Sequence, residues 1–256
     1  MVRRSVLAIA AAVAVGYSFS GSADETLVMA WDGSAWSIVS SPNAGTISDR
    51  LSSVSCVSVS DCVAVGNTVT GSGSAVETLV MVWNGTVWSI VSSPNAGTTE
   101  DFLSSVSCVS VSDCVAVGST YTGSAYETLA MVWDGTDWSI VPSPNAGASG
   151  DQLRSVSCVS ATQCVAVGNS STDPVTETLV MVWDGIVWSV VSSPNAGTSN
   201  DVLRSVSCVS ASECVAVGTT RSDSPDETLV VSLTGPVPPS TTTTASSQPV
   251  TPAFTG

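Results

Sequence analysis

Eight cysteines in four evenly spaced pairs are the residues of this chain with the most definite chemistry. Each pair has five residues between its members, is preceded by SVS and is followed by VAVG; the pairs are Cys56 and Cys62, Cys108 and Cys114, Cys158 and Cys164, and Cys208 and Cys214. If the flanking segments form a β-hairpin, the two cysteines of a pair lie opposite each other within disulfide reach. We therefore expect disulfides. Buried free thiols, or a metal site with ligands from two hairpins, are the alternatives.

The acidic residues are the other candidates for chemistry. The chain has 21 Asp and Glu and no histidine, which excludes Ser-His and Cys-His nucleophile pairs and most zinc catalysis. Glu100 is adjacent to Asp101, and Asp49, Asp151 and Asp201 recur at similar places. Because a catalytic centre is normally one asymmetric convergence of polar groups, recurrence indicates a structural part such as a loop cap. We expect no catalytic residue, no metal site and no cofactor.

The charge balance excludes one class of partner. Six arginines and no lysine give a net charge of −15, so the basic footprint that nucleic-acid binding requires is missing.

A repeat of about 50 residues organises the chain. The tetrads ETLV and ETLA begin at Glu25, Glu77, Glu127, Glu177 and Glu227. Each unit contains four segments rich in Val, Ile and Trp and bounded by turn residues, which predicts four short strands. A sheet of four strands repeated at this period is typical of a propeller blade. The sequence therefore predicts an all-β, β-propeller-like array of four-stranded antiparallel blades, with four to five blades. The predicted units are about 4–51, 52–103, 104–153, 154–203 and 204–234.

Two tryptophans flank each WDG or WNG turn between the third and fourth strands. An Asp-Gly or Asn-Gly pair supplies the positive φ that a tight hairpin turn needs, so these segments are predicted turns with tryptophans that fill the core. The tryptophans are Trp31, Trp36, Trp83, Trp88, Trp133, Trp138, Trp183 and Trp188. The WDGTDW stretch at 133–138 resembles the Asp-box of sialidase-like propellers, but its spacing is one residue short.

The two ends differ in composition from the repeats. Residues 1–23 have a basic start followed by an apolar run, as in a signal peptide, yet 4–16 also align with a repeat hairpin in which Ala8 and Ala12 replace the cysteines. Both interpretations stay open. Residues 235–256 are rich in Pro and Thr, which predicts a disordered stalk. The apolar run is too short for an ordinary membrane span.

The repeated motifs WDGTDW, WSIV, SSPN or PSPN, and SVSC followed by CVAVG, resemble those of secreted repeat proteins of actinobacteria. The resemblance covers about residues 4–233 and implies an exported, propeller-like protein, distantly similar to sialidase-type and kelch-type propellers in fold alone. We expect a non-enzymatic, monomeric binding module that is secreted, or associated with the cell wall, and recognises protein or carbohydrate through its variable loops. A sialidase-like glycoside hydrolase that uses loop carboxylates and a purely structural spacer are the alternatives.

Overall fold

The structure is a computed structural model that describes residues 12–45, 47–71, 75–97, 99–196, 200–221 and 226–234. Within these residues the chain forms 18 β-strands and no helix. The strands are β1 (Ala12–Phe19), β2 (Asp24–Trp31), β3 (Trp36–Val39), β4 (Ser48–Ser58), β5 (Asp61–Val69), β6 (Val76–Trp83), β7 (Trp88–Val91), β8 (Glu100–Ser110), β9 (Asp113–Tyr121), β10 (Tyr126–Trp133), β11 (Trp138–Val141), β12 (Gly150–Ser160), β13 (Gln163–Thr172), β14 (Val175–Trp183), β15 (Trp188–Val191), β16 (Asn200–Ser210), β17 (Glu213–Arg221) and β18 (Glu227–Thr234).

The strands group into five blades in chain order. Blades 2, 3 and 4 are complete antiparallel sheets of four strands, namely β4–β7, β8–β11 and β12–β15. Blade 1 contains β1–β3 and blade 5 contains β16–β18 among the described residues. One parallel bridge joins the third strand of each blade to the first strand of the next, as between Val76 and Glu100. The predicted all-β, propeller-like fold with repeated four-stranded blades is confirmed.

The first strand of each blade, called here the inner strand, begins earlier than the sequence suggested. The inner strands start at Ser48, Glu100, Gly150 and Asn200, about four residues before the unit boundaries drawn from the repeat. Each of these four-residue segments contains an aspartate and ends in a buried leucine (Leu51, Leu103, Leu153 or Leu203), and none shows the alternation of apolar and polar residues that marks a strand. They are strand residues because they pair with the end of the second strand, as Asp101 does with Thr120.

Blades 2, 3 and 4, called here the inner blades because each lies between two others, bury two different apolar faces. Both faces are apolar because consecutive residues of the second and third strands are apolar. One face, called here the tryptophan face, carries the tryptophan pair together with a Leu and a Met of the third strand; in blade 2 these are Leu79, Met81, Trp83 and Trp88. The opposite face, called here the valine face, carries Val65 and Val80 in the same blade.

The tryptophan faces of blades 2, 3 and 4 each pack on the valine face of the preceding blade. Blade 5 makes the corresponding contact through Leu229 and Val231, so the core forms at four places. Between blades 2 and 3, Val65 and Val80 lie against Leu129, Met131 and Trp138. All five side chains are at most 5% exposed. Burial of a side chain of this size stabilises the fold by roughly 1.5–3 kcal/mol, so stacking of neighbouring blades is the main source of stability.

Serine hydroxyls connect neighbouring inner strands. The backbone N–H groups of Val156 and Cys158 in blade 4 donate to the Oγ atoms of Ser105 and Ser107 in blade 3, at 3.2 and 3.0 Å. The same two bonds occur between blades 2 and 3 and between blades 4 and 5. The free edges of the inner strands of blades 3, 4 and 5 are thus hydrogen-bonded by the preceding blade, which explains the repeated SVSC motif.

The described start of the chain occupies the place of a second strand. Ala12 pairs with Trp31 in β1 and β2, in the same register in which Cys62 pairs with Trp83 in blade 2. The aligned alanine therefore lies where the repeat has its second cysteine. Residues 1–11, which include the basic start and Ala8, and the predicted stalk at 235–256 lie outside the described residues.

Candidate functional site

The four cysteine pairs are disulfide-bonded, with S–S distances of 2.02–2.05 Å, which confirms the predicted pairing. Cys158 and Cys164 lie directly opposite each other on β12 and β13, and the other three pairs are placed in the same way. No cysteine remains free. The disulfides close the hairpin between the inner and second strands, so their role is structural.

The recurrent aspartates anchor the SPNAG loops. Asp151 is 1% exposed, and its carboxylate accepts hydrogen bonds from the backbone N–H groups of Ala146 (2.8 Å) and Gly147 (3.0 and 3.2 Å). Asp49 and Asp101 hold the corresponding loops of the preceding blades. A carboxylate whose oxygens already accept hydrogen bonds from backbone N–H groups is unsuited to acid–base chemistry. The position of these aspartates agrees with the predicted loop cap.

The two tryptophans of each pair pack against each other with their ring planes tilted by 39–47°. In blade 4 the ring centroids of Trp183 and Trp188 are 5.5 Å apart, and these rings are 5% and 4% exposed. The pairs in blades 1, 2 and 3 have similar centroid distances of 5.7–5.8 Å. Trp36 of blade 1 differs, because 46% of its surface is exposed.

The turn between the tryptophans spans four residues. Gly135 has a φ of 95°, whereas the preceding Asp134 accepts hydrogen bonds on Oδ1 from the N–H groups of Thr136 and Asp137 at 2.8 and 2.9 Å. The N–H donors of Asp137 and then Thr136 lower the pKa of Asp134 below its ordinary value. The hydrogen bonds of Asp134 Oδ1 close the turn. The weak similarity of this segment to an Asp-box therefore reflects turn geometry and does not indicate a binding site.

An open cleft of about 300 Å³ is lined mainly by the inner strands of blades 2, 3 and 4, with further residues from β5, β9 and β10. Its lining combines aromatic, amide, hydroxyl and guanidinium groups, from Asn67, Phe102, Ser104, Tyr126, Gln152 and Arg154 among others. Such a mixture of flat apolar surface and a few convergent polar groups is typical of a ligand site.

A β-bulge directs Arg154 into this cleft. In blade 4 the pairing of β12 with β13 skips one residue between Leu153 and Ser155, which leaves Arg154 unpaired. The bend requires close approach to Gly168, where an added Cβ would lie 1.8 Å from the carbonyl oxygen of Gln152. This contact explains the glycine of CVAVG, and bulges of this kind commonly re-aim a side chain.

Arg154 is half-buried and its partners are neutral. Nε donates to Asn169 Oδ1 at 3.0 Å and one terminal nitrogen donates to Gln152 Oε1 at 2.9 Å. Burial, and to a smaller extent the positive charge of Arg204, lowers the pKa of Arg154. Neither arginine forms an ion pair with any described residue. Donors of the Arg154 guanidinium therefore remain available, since it has five N–H groups.

Three aromatic rings of blade 3 pack together, and two of them, Phe102 and Tyr126, line the cleft. Tyr126 packs on Tyr121 with centroids 5.1 Å apart and on Phe102 at 6.5 Å. The Tyr126 hydroxyl donates to Glu100 Oε2 at 2.6 Å. This bond to a carboxylate, together with burial, raises the pKa of Tyr126 to about 12. The hydroxyl is thus protonated and fixed in position at neutral pH.

The cleft residues were not among those singled out in the sequence. A usable signal was present, because these positions depart from the repeat: the position of Phe102 is Arg50, Gln152 or Val202 elsewhere, and the position of Arg154 is Ser52 or Ser104 in two other blades. A position whose residue differs between the blades of an otherwise strict repeat is one where packing does not dictate the residue. Such positions are therefore candidates for ligand binding.

No family model matches the chain, and no curated protein matches it either. Among solved structures, the chain is similar to YCF48 bound to a D1 peptide, with 13% sequence identity and a TM-score of 0.44. The match covers 79% of this chain and 56% of that chain, so this chain spans little more than half of its neighbour's length. The likeness concerns architecture alone. The resemblance to secreted actinobacterial repeat proteins stays a prediction.

Two features are absent from the described residues. No helix that is long and apolar enough to cross a membrane occurs among them. The same residues contain no group of three or more Cys, Asp or Glu side chains arranged to hold a metal ion.

Proposed function

We propose that this protein is an extracellular, non-enzymatic binding module that recognises a protein or carbohydrate ligand in the inner-strand cleft. The propeller-like fold suits a binding or scaffold role. Four disulfides support an oxidising, extracellular location, because such bonds rarely persist in a reducing cytosol.

The observation that carries the proposal is the composition of the cleft. Phe102 and Tyr126 provide flat apolar surface, and Arg154 provides unused N–H donors close to the second positive charge of Arg204. A carboxylate is the best match to a guanidinium, since the two groups form charge-assisted, frequently bidentate hydrogen bonds. The ligand we expect combines such an acceptor with an apolar or flat face.

The net charge of the chain restricts how many negative charges the ligand can carry. The chain carries a net charge of −15, so a ligand with many negative charges is repelled at long range. A ligand with isolated carboxylates, such as a polysaccharide with occasional acidic sugars or a peptide with few acidic residues, fits both the local arginine pair and the acidic surroundings.

The non-enzymatic part of the proposal is supported by the state of the carboxylates. The carboxylates of Asp49, Asp101 and Asp151 accept hydrogen bonds from loop N–H groups. Glu100 accepts a hydrogen bond from the Tyr126 hydroxyl. A glycosidase needs a pair of carboxyl groups that flank an open position for the sugar. No observation favours the hydrolase alternative over binding.

Arrays of glycans and of peptides, probed with the intact chain, test the proposal. Two substitutions copy residues from other blades and should leave the fold intact: Phe102→Gln takes the residue of blade 4, and Arg154→Ser takes that of blades 2 and 3. We expect at least a tenfold loss of affinity from each, because each removes one buried or charge-assisted contact worth about 1.4 kcal/mol or more.

Arg221→Ser is the matched control. It removes the same charge and copies Ser171 of blade 4, but Arg221 lies outside the cleft in an exposed ion pair with Asp226. We expect Arg221→Ser to bind as the unchanged chain does. If no array member binds, or if Phe102→Gln and Arg154→Ser bind as tightly as Arg221→Ser, the cleft is not the recognition site.

A further inference from the structure

The last blade leaves uncovered the face that every inner blade buries against its successor. On the valine face of blade 5, Val217 is 41% exposed and Val230 is 59% exposed. The equivalent Val65 and Val80 of blade 2 are both 0% exposed, because the tryptophan face of blade 3 covers them.

The first blade leaves uncovered the opposite face. On the tryptophan face of blade 1, Trp36 is 46% exposed, whereas Trp88, Trp138 and Trp188 are only 4–5% exposed in blades 2, 3 and 4. Ile38, on the same face of β3, is 74% exposed, against 39% for its equivalent Ile90. Each outer face of the array therefore exposes apolar side chains whose equivalents are more deeply buried in the blades between them.

These two faces are complementary in kind. A tryptophan face meets a valine face at three internal contacts of this chain, and at a fourth Leu229 and Val231 of blade 5 take the place of the tryptophan face; each contact has a buried core. None of these contacts joins blade 5 to blade 1, so within the described residues the array is not closed into a ring.

We propose that a second copy of this chain covers the exposed valine face, docking the tryptophan face of its blade 1 on blade 5 of the first copy. The contact repeats the internal blade interface between two chains. It is heterologous, with different surfaces on the two partners, so each added copy presents a new free valine face. This association is independent of ligand binding in the cleft and replaces the expectation of a monomer.

Charge sets the conditions under which the contact forms. Each copy carries a net charge of −15, so two copies repel each other at low ionic strength. Salt screens this repulsion, while the apolar contact itself is not weakened by screening. We therefore expect the association to strengthen as salt is added, unlike one held by ion pairs.

Two variants with one blocked face each provide the test. Val230→Glu places a charge on the valine face, and Trp36→Glu places one on the tryptophan face; both positions are exposed in the single chain, so the fold should tolerate them. Ile186→Glu is the control, because Ile186 is 80% exposed in the turn between β14 and β15 and belongs to neither face.

Molar mass is measured by light scattering and sedimentation over a range of concentrations, with circular dichroism to check the fold. We expect the unchanged chain and Ile186→Glu to grow in steps of one chain mass. Each blocked variant alone stays at one chain mass. An equal mixture of the two stops at two chain masses, because only one competent contact, between the free faces, can form.

Three outcomes overturn the proposal. The first is an unchanged chain that keeps one chain mass at every concentration and salt level, as a ring closed on itself would. The second is a mixture of the two blocked variants that does not form the two-chain species. The third is growth of either blocked variant alone, since a different surface would then mediate the association.

Discussion

Two buried tryptophans of blade 4 differ in a single hydrogen bond, and we predict that phenylalanine separates their contributions to stability. Trp183 is 5% exposed and its indole Nε1 donates to the carbonyl oxygen of Ala161 at 3.2 Å. Trp188 is 4% exposed, and its Nε1 is buried without a hydrogen-bond partner. The two rings pack on each other, so their apolar surroundings are closely matched.

The expected difference in the free energy of unfolding comes from the hydrogen bonds of the two indole N–H groups. Trp183→Phe and Trp188→Phe remove the same atoms from equally buried sites, so their packing losses largely cancel in the comparison. Trp183→Phe also loses a hydrogen bond worth about 1 kcal/mol, whereas Trp188→Phe removes a buried donor that costs about 1–3 kcal/mol while it is unpaired. Trp183→Phe should therefore lower the free energy of unfolding by roughly 2–4 kcal/mol more than Trp188→Phe.

Urea unfolding followed by far-ultraviolet circular dichroism measures this difference without using tryptophan as the probe. The midpoints should differ while the slopes agree, which indicates that the same surface is exposed on unfolding. Blade 2 offers a replicate, because Trp83 donates to Val59 at 3.2 Å and Trp88 has a buried, unpartnered Nε1. Equal destabilisation in both blades, or a larger loss at the unpartnered tryptophan, refutes the reasoning.

Three further predictions concern the disulfides, the loop anchors and the tyrosine of the cleft. The double substitution Cys158→Ser with Cys164→Ser should lower the free energy of unfolding by roughly 2 kcal/mol, because the bridge closes a short loop in the unfolded chain; reduction of the unchanged chain should raise its intact mass by two hydrogens per bridge. Asp151→Ala leaves two loop N–H groups without their acceptor and should cost about 2 kcal/mol, with faster proteolysis of the loop before β12. The pKa of Tyr126, about 12 in the folded chain, lies above the ordinary value near 10, so its bond to Glu100 contributes stability below about pH 10 that is lost as the pH rises to about 12. Tyr126→Phe should remove the absorbance step near pH 12 and this part of the alkaline loss.

Each of these predictions has a clear contrary result. An intact mass that does not change on reduction contradicts the disulfides. Equal destabilisation by Asp151→Ala and by Asp137→Ala, which removes an exposed carboxylate of a turn, contradicts the anchoring role of the buried carboxylate. A Tyr126→Phe variant that keeps the same titration above pH 11 contradicts the assignment of the raised pKa, about 12, to Tyr126.

Much of the blade was predictable because its determinants are close together in the chain. The five-residue spacing of Cys108 and Cys114 is enough to place them opposite each other, since a short hairpin pairs residues by its length alone. The WDG turns and the four strands per unit likewise depend on neighbouring residues. The early start of the inner strands was not predictable, because Asp101 and its equivalents are polar, and their burial depends on a loop contributed by the preceding blade.

The sequence by itself determined the repeat, the strands, the hairpins and the disulfide pairing, since each depends on contacts between residues a few positions apart. Only the tertiary structure decided that Arg154, at a bulge within its strand, lines a cleft with Phe102 and Tyr126 that is built from three blades. It also decided which apolar faces are covered and which remain exposed on blades 1 and 5. Equivalent faces of successive repeats have similar sequences, so the sequence does not distinguish a covered face from an exposed one. Their burial depends on whether a neighbouring blade lies against them.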